Sequence, residues 1–113
     1  MLVAILTRHD VLLKVLGFLT IPWEFPGNDD TVGQQISNWI SSLRSLSKKP
    51  ILVTAAVSSN PSIFPQHLNG VFDSLYVMSY DFAGPWANWV THNSDLITGK
   101  RAMAEWVTAG YSP

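Results

Sequence analysis

The sequence predicts an α/β fold, a parallel sheet built from strand–helix units, and three observations carry that reading. Three short runs, at 16–23, 51–57 and 75–78, are apolar almost throughout, as strands buried on both faces must be. A segment with helical apolar spacing separates the first run from the second, and another follows the third. Strands that alternate with helices pair in parallel, because the chain has to cross over the sheet between them.

Each element has its own signals. No regular period holds over the first ten residues, although Leu12, Leu13, Val15 and Leu16 could share one helix face. Pro22 sits awkwardly in the first strand, since it has no N–H to give to a ladder. Gly27-Asn28-Asp29-Asp30 breaks the chain, and Thr31 with Gln34 three residues later predicts a capping box. Val32, Ile36, Trp39, Ile40, Leu43 and Leu46 then recur on one helical face. Lys48 and Lys49 suit the negative end of that helix, and Pro50 stops it. Residues 58–69, with Pro61 and Pro65, read as loop with one helical turn. A polar and aromatic loop is expected at 81–97. Thr98 is expected to cap a last helix with Ala102, Met103, Trp106 and Val107 on its apolar face and Gly110 at its end.

Composition narrows the function. A chain of 113 residues has room for one small domain, and 47% hydrophobic residues supply its core. With 13% charged residues and a net charge of -1, it is neither a disordered segment nor a surface for nucleic acid or an anionic membrane. The absence of cysteine excludes a disulfide framework and thiolate metal sites. His9, His67 and His92 are too scattered to suggest a metal centre, and no cofactor is expected. Arg8, His9, Asp10 and Lys14 interrupt the apolar start, so no signal peptide is read there, and the stretch at 15–23 is far too short to span a membrane. The five tryptophans suit either core packing or a carbohydrate surface, where sugar rings lay their C–H faces on flat aromatic planes.

In a parallel βα architecture, reactive groups collect at the C-terminal ends of the strands. Trp23-Glu24-Phe25-Pro26-Gly27 ends the first predicted strand, and Met78-Ser79-Tyr80-Asp81 ends the third. Each places an acid at a strand end beside aromatic residues. Such acids can protonate a leaving oxygen, as glycoside hydrolysis requires. Equally, they can cap the helices that follow or bind loop amides.

Four blocks, W-E-F-P-G, V-T-A-A-V, V-M-S-Y-D-F and H-N-S, occur in this order. Together they resemble glycoside hydrolase family 18, the chitinase family, whose signatures read D-x-x-D-x-D-W-E-[YF]-P-G, L-T-A-A-[VL] and V-M-[ST]-Y-D. The resemblance covers residues 23–113. It implies a partial (β/α)8 TIM barrel, roughly strands 4 to 6 with their helices, in which residues 1–22 match poorly. It also implies hydrolysis of β-1,4-linked N-acetylglucosamine polymers with help from the substrate's own N-acetyl group. Glu24 then matches the acid, Tyr80 the hydroxyl that holds the N-acetyl group, and Asp81 the acid beside it. Met78, Trp86 and Phe25 match substrate-binding positions, while Trp39 and Trp106 fall on helix core faces. Chitin or its oligosaccharides would be the partner, and the location extracellular.

One departure is specific. Counting back from Glu24, the motif's aspartates fall on Gly17, Thr20 and Pro22. Loss of a positioned acid–base partner costs roughly 100- to 10,000-fold in rate, so little or no activity is expected of the chain as written. Asp29 and Asp30 lie on the far side of Glu24 and read as helix N-terminal acids. The break at Trp23 suggests that 1–22 is not the ancestral coding sequence. A complete barrel takes about 250 residues, so exposed strand edges and self-association are expected, and the rivals to an enzyme are a sugar-binding lectin-like protein and a non-functional gene-model fragment.

Overall fold

The computed structural model describes residues 18–21 and 27–112. Three strands, β1 (Phe18–Ile21), β2 (Leu52–Ser58) and β3 (Ser74–Met78), form one sheet in the order β1-β2-β3. Both pairings are parallel, with Thr20 beside Thr54 and Ala56 beside Tyr76. Helix α1 (Asp30–Leu46) connects β1 to β2, and helix α2 (Leu96–Thr108) follows β3. The return from β2 to β3 uses two single turns of 3-10 helix, Pro61–Ile63 and Gln66–Leu68. Two turns stand where the sequence suggested one, because Pro61 and Pro65 each fix a backbone angle ready for a turn but prevent a longer helix.

Side chains alternate across the sheet. Leu19, Val53, Ala55 and Val57 are buried, and they pack with Ile36, Ile40, Phe64, Leu68 and Trp106 into the core. Leu75 and Val77 of β3 pack against the same cluster. Of the opposite parity, Thr54 is buried but Thr20, Leu52 and Tyr76 are exposed. Among the described residues the sheet is thus covered on one face, and not on both as its apolar runs suggest. The core therefore lies on the helix side of the sheet.

Both helix caps differ from expectation. Asp29, not Thr31, caps α1: its backbone is extended and its carboxylate accepts the Thr31 N–H at 2.7 Å. A carboxylate facing the positive end of the helix does this better than a hydroxyl, and Gln34 bonds Asn38 instead, at 3.0 Å. Asp30 lies in the first turn, so both acids serve the helix start as the sequence suggested. Asp95, not Thr98, caps α2, accepting the Thr98 N–H at 2.8 Å, and the helix begins at Leu96. Gly110 ends it as predicted, at φ 98°. Its N–H bonds Val107 O at 3.0 Å, Tyr111 N–H bonds Trp106 O at 3.2 Å, and the Trp106 and Tyr111 rings meet at 4.9 Å, the hydrophobic contact that accompanies a left-handed glycine cap.

Two expected apolar stripes are narrower than predicted. Leu46 is 81% exposed because α1 ends there, and Lys48 and Lys49 lie past the helix, leaving Arg44 as the cation of its last turn. On α2, Ala102 and Trp106 are buried while Met103 and Val107 are half exposed. Trp106 is held on both counts that matter for an indole: its ring meets Phe64 at 5.5 Å, and its Nε1–H donates to Ser58 O at 3.0 Å. Trp39 packs against the core, although its Nε1–H has no partner among the described residues.

Candidate functional site

The C-terminal ends of the strands share one edge of the sheet, with Ile21, Ser58 and Met78 closing β1, β2 and β3. Parallel pairing compels this, and Ser58 stands opposite Met78 in the register. Half-buried Met78 is the last strand residue, and after Ser79 come half-exposed Tyr80 and exposed Asp81. Asp81 turns the chain sharply with φ 58°. That left-handed conformation costs most L-residues roughly 1–2 kcal/mol, and Asp and Asn are the non-glycine residues that adopt it most readily.

A returning segment secures this turn. Phe82 N–H donates to Asn93 O at 2.9 Å, and the Asn93 side-chain amide donates to Asp81 Oδ1 at 3.3 Å. Beside them the Ser94 hydroxyl donates to Ser79 O at 2.6 Å. Asp95 then begins α2. Hydrogen bonds from the Thr98 hydroxyl and, next, the Thr98 N–H hold the Asp95 carboxyl below the usual aspartate range. Residues 83–92 are thus a loop fastened at both ends to the end of β3.

The loop presents its aromatic residues to solvent. Gly84-Pro85-Trp86-Ala87 is a turn closed by Ala87 N–H to Gly84 O at 2.9 Å, with proline in its favoured second position. The Trp86 ring folds over Gly84, where any Cβ would overlap it. Trp86 and Trp89 are 69% and 72% exposed, and Val90 is fully so. Between the turn and Asn93 lies an open concavity of about 430 Å³, walled by Trp89, Asn88, Thr91 and Asn93. A second hollow, of about 460 Å³, lies between Ser79, Ser94 and the first turns of α2.

The structure brings Met78, Tyr80, Asp81 and the Trp86 loop to one edge. Glu24 and Phe25 lie outside the described residues, as do Gly17 and Pro22. Thr20 is described: its hydroxyl is 2.9 Å from the Thr54 hydroxyl across the β1–β2 pair. Asn93 and Ser94, the last two residues of the H-N-S block, have no role that the sequence alone assigns. The available signal was the run of short polar residues 91–95 before a helix, because such side chains bond local backbone. No group of three or more His, Cys, Asp or Glu able to hold a metal occurs among the described residues, nor is any described helix long and apolar enough to cross a membrane.

Comparison with known proteins gives the family. The glycosyl hydrolases family 18 profile matches residues 2–113. The chain is also similar to a probable endochitinase of Caenorhabditis elegans, 31% identical over 112 aligned residues. That alignment covers 83% of this chain and 18% of the relative, so the chain spans less than a fifth of the length of the curated relative it matches.

Proposed function

The chain belongs to glycosyl hydrolases family 18, and on that premise we propose that it is a partial chitinase-type domain acting on β-1,4-linked N-acetylglucosamine polymers. The supporting observation is the edge where β3 ends: Tyr80 and Asp81 stand two and three residues past Met78, with Asp81 in a left-handed turn bonded by Asn93. In this reading β1, β2 and β3 are the fourth, fifth and sixth strands of the family's barrel, and residues 1–113 are one partial domain.

The chemistry proposed is substrate-assisted. The N-acetyl carbonyl oxygen of the bound sugar attacks the anomeric carbon while Glu24 gives its proton to the glycosidic oxygen, and the bond to the leaving sugar breaks. Glu24, now a carboxylate, takes a proton from water as that water opens the oxazolinium ion and restores the sugar. Tyr80 donates its hydroxyl to the N-acetyl group, Asp81 supplies negative charge beside it, and Met78, Phe25 and Trp86 line the sugar. A polymer substrate of this kind lies outside the cell, so export belongs to the proposal.

A second reading, a lectin-like protein that binds without turnover, is favoured by Thr20. It occupies one of the positions where the family motif has an aspartate, and its hydroxyl is already engaged by Thr54. Calorimetry with N-acetylglucosamine oligomers, beside a turnover assay, separates the two. Turnover abolished by Glu24→Gln is the expected mark of the enzyme, and tight binding without turnover that of the lectin. If the oligomers are neither bound nor cleaved, both readings are wrong.

A further inference from the structure

We propose that Trp89 and the concavity it walls form an additional sugar-binding position, continuous with the Asp81 turn. The proposal rests on the saccharide reading above and adds to it a residue and a place.

Exposure is the first argument. The tryptophans that pack on the core are covered, Trp106 at 3% exposed with its indole N–H donated to Ser58 O and Trp39 in part. Trp89 is 72% exposed and Val90 beside it fully so, which water penalises.

Wall chemistry is the second. Asn88, Thr91 and Asn93 supply amide and hydroxyl groups, Ala83, Gly84 and Ala87 leave room, and no lining side chain is charged. An aromatic plane beside uncharged donors and acceptors suits a neutral ring with an apolar face and a polar rim, which is a pyranose. The volume, about 430 Å³, falls within the range of small-ligand sites.

Continuity is the third. Asn93 lines the concavity and its amide also bonds Asp81. A ring seated against Trp89 therefore shares a neighbour with the Asp81 carboxylate, as the next unit of a chain bound at Asp81 would.

The test is an NMR titration of the indole N–H signals with the N-acetylglucosamine tetramer, assigned by single Trp→Phe substitutions, with calorimetry beside it. The Trp89 signal is expected to shift saturably. Trp89→Ala should weaken the tetramer about tenfold, as loss of a central aromatic contact does, while Trp89→Phe retains most of the affinity and the Trp106 signal stays in place. Undiminished binding to Trp89→Ala overturns the additional position and leaves the saccharide reading standing. A wild-type chain whose indoles ignore the tetramer, with no heat of binding, overturns both.

Discussion

Asn93 and Asp81 stand twelve residues apart, and the amide of the first donates to the carboxylate of the second at 3.3 Å. The same asparagine accepts Phe82 N–H through its carbonyl at 2.9 Å. One residue thus holds both the side chain of Asp81 and the peptide that follows it. The backbone contact survives substitution of Asn93, whereas the amide contact does not.

Asn93→Ala should therefore loosen the Asp81 carboxylate without unfolding the chain. The lost bond is exposed, so a stability change of about 1 kcal/mol or less is expected, read by urea unfolding. Oligosaccharide affinity should fall further than stability, because the freed carboxylate loses its fixed position. Equal affinity in Asn93→Ala and wild type, by calorimetry, would remove Asn93 from any role at the site.

Asp81 itself separates conformation from charge. Its φ of 58° is open to Asn but strained for a β-branched residue. Asp81→Asn should leave the urea midpoint nearly unchanged and weaken N-acetylglucosamine oligomer binding. Asp81→Val should add a stability loss of roughly 1–2 kcal/mol. Equal stability of the two variants would show that this turn does not need its left-handed residue.

At the opposite edge of the sheet, Asp73 ties three segments together. Its carboxylate accepts Val53 N–H at 2.7 Å and the Arg44 guanidinium at 2.9 Å, and its own N–H donates to Val53 O at 2.8 Å. The Val53 N–H holds the Asp73 carboxyl below its ordinary value of 3.8; burial opposes it, and Arg44 adds to the lowering. A depressed folded value means the stabilisation is complete above the unfolded pKa and is lost as pH falls through the folded one. Urea stability should accordingly decline below pH 3.8. In Asp73→Asn the decline should be shallower but not abolished, since the Asp95 carboxyl is lowered in the same direction. A variant with the wild-type acid profile would take Asp73 out of this linkage.

How much of this could be read from the sequence depends on the range of the interaction. The runs at 51–57 and 75–78 predict β2 and β3 because they are apolar almost throughout, but that continuity does not tell that helices cover one face alone. The α1 stripe of Ile36, Trp39, Ile40 and Leu43 followed from helical spacing. Caps were misplaced by two or three residues, since Asp29 and Thr31, or Asp95 and Thr98, differ only in which side chain faces the free N–H groups. Asn93 and Asp81 meet through a loop closure that no local pattern encodes. Trp86 and Trp89 look alike in sequence, and it took the folded loop to give each a different setting, one ring over Gly84 and the other against a concavity.

Gly33 illustrates a residue whose importance is invisible to helix propensity. It lies inside α1, where alanine would be favoured by about 1 kcal/mol. A Cβ there would come within 2.7 Å of Pro65 Cβ and would overlap the His67 imidazole. The imidazole is the end of a side chain and can swing away, at the loss of its 3.2 Å contact with Asp30, an exposed pair worth little. Pro65 cannot move in the same way: it is among the fully buried side chains and starts the turn that carries core residue Leu68. Overpacking of this kind costs about 1–3 kcal/mol, which exceeds the propensity gain. Gly33→Ala is thus expected to lower stability by about 1 kcal/mol in urea unfolding. A Gly33→Ala chain more stable than wild type would mean that the 65–68 turn yields, and that α1 is not held at this distance by its packing against Pro65.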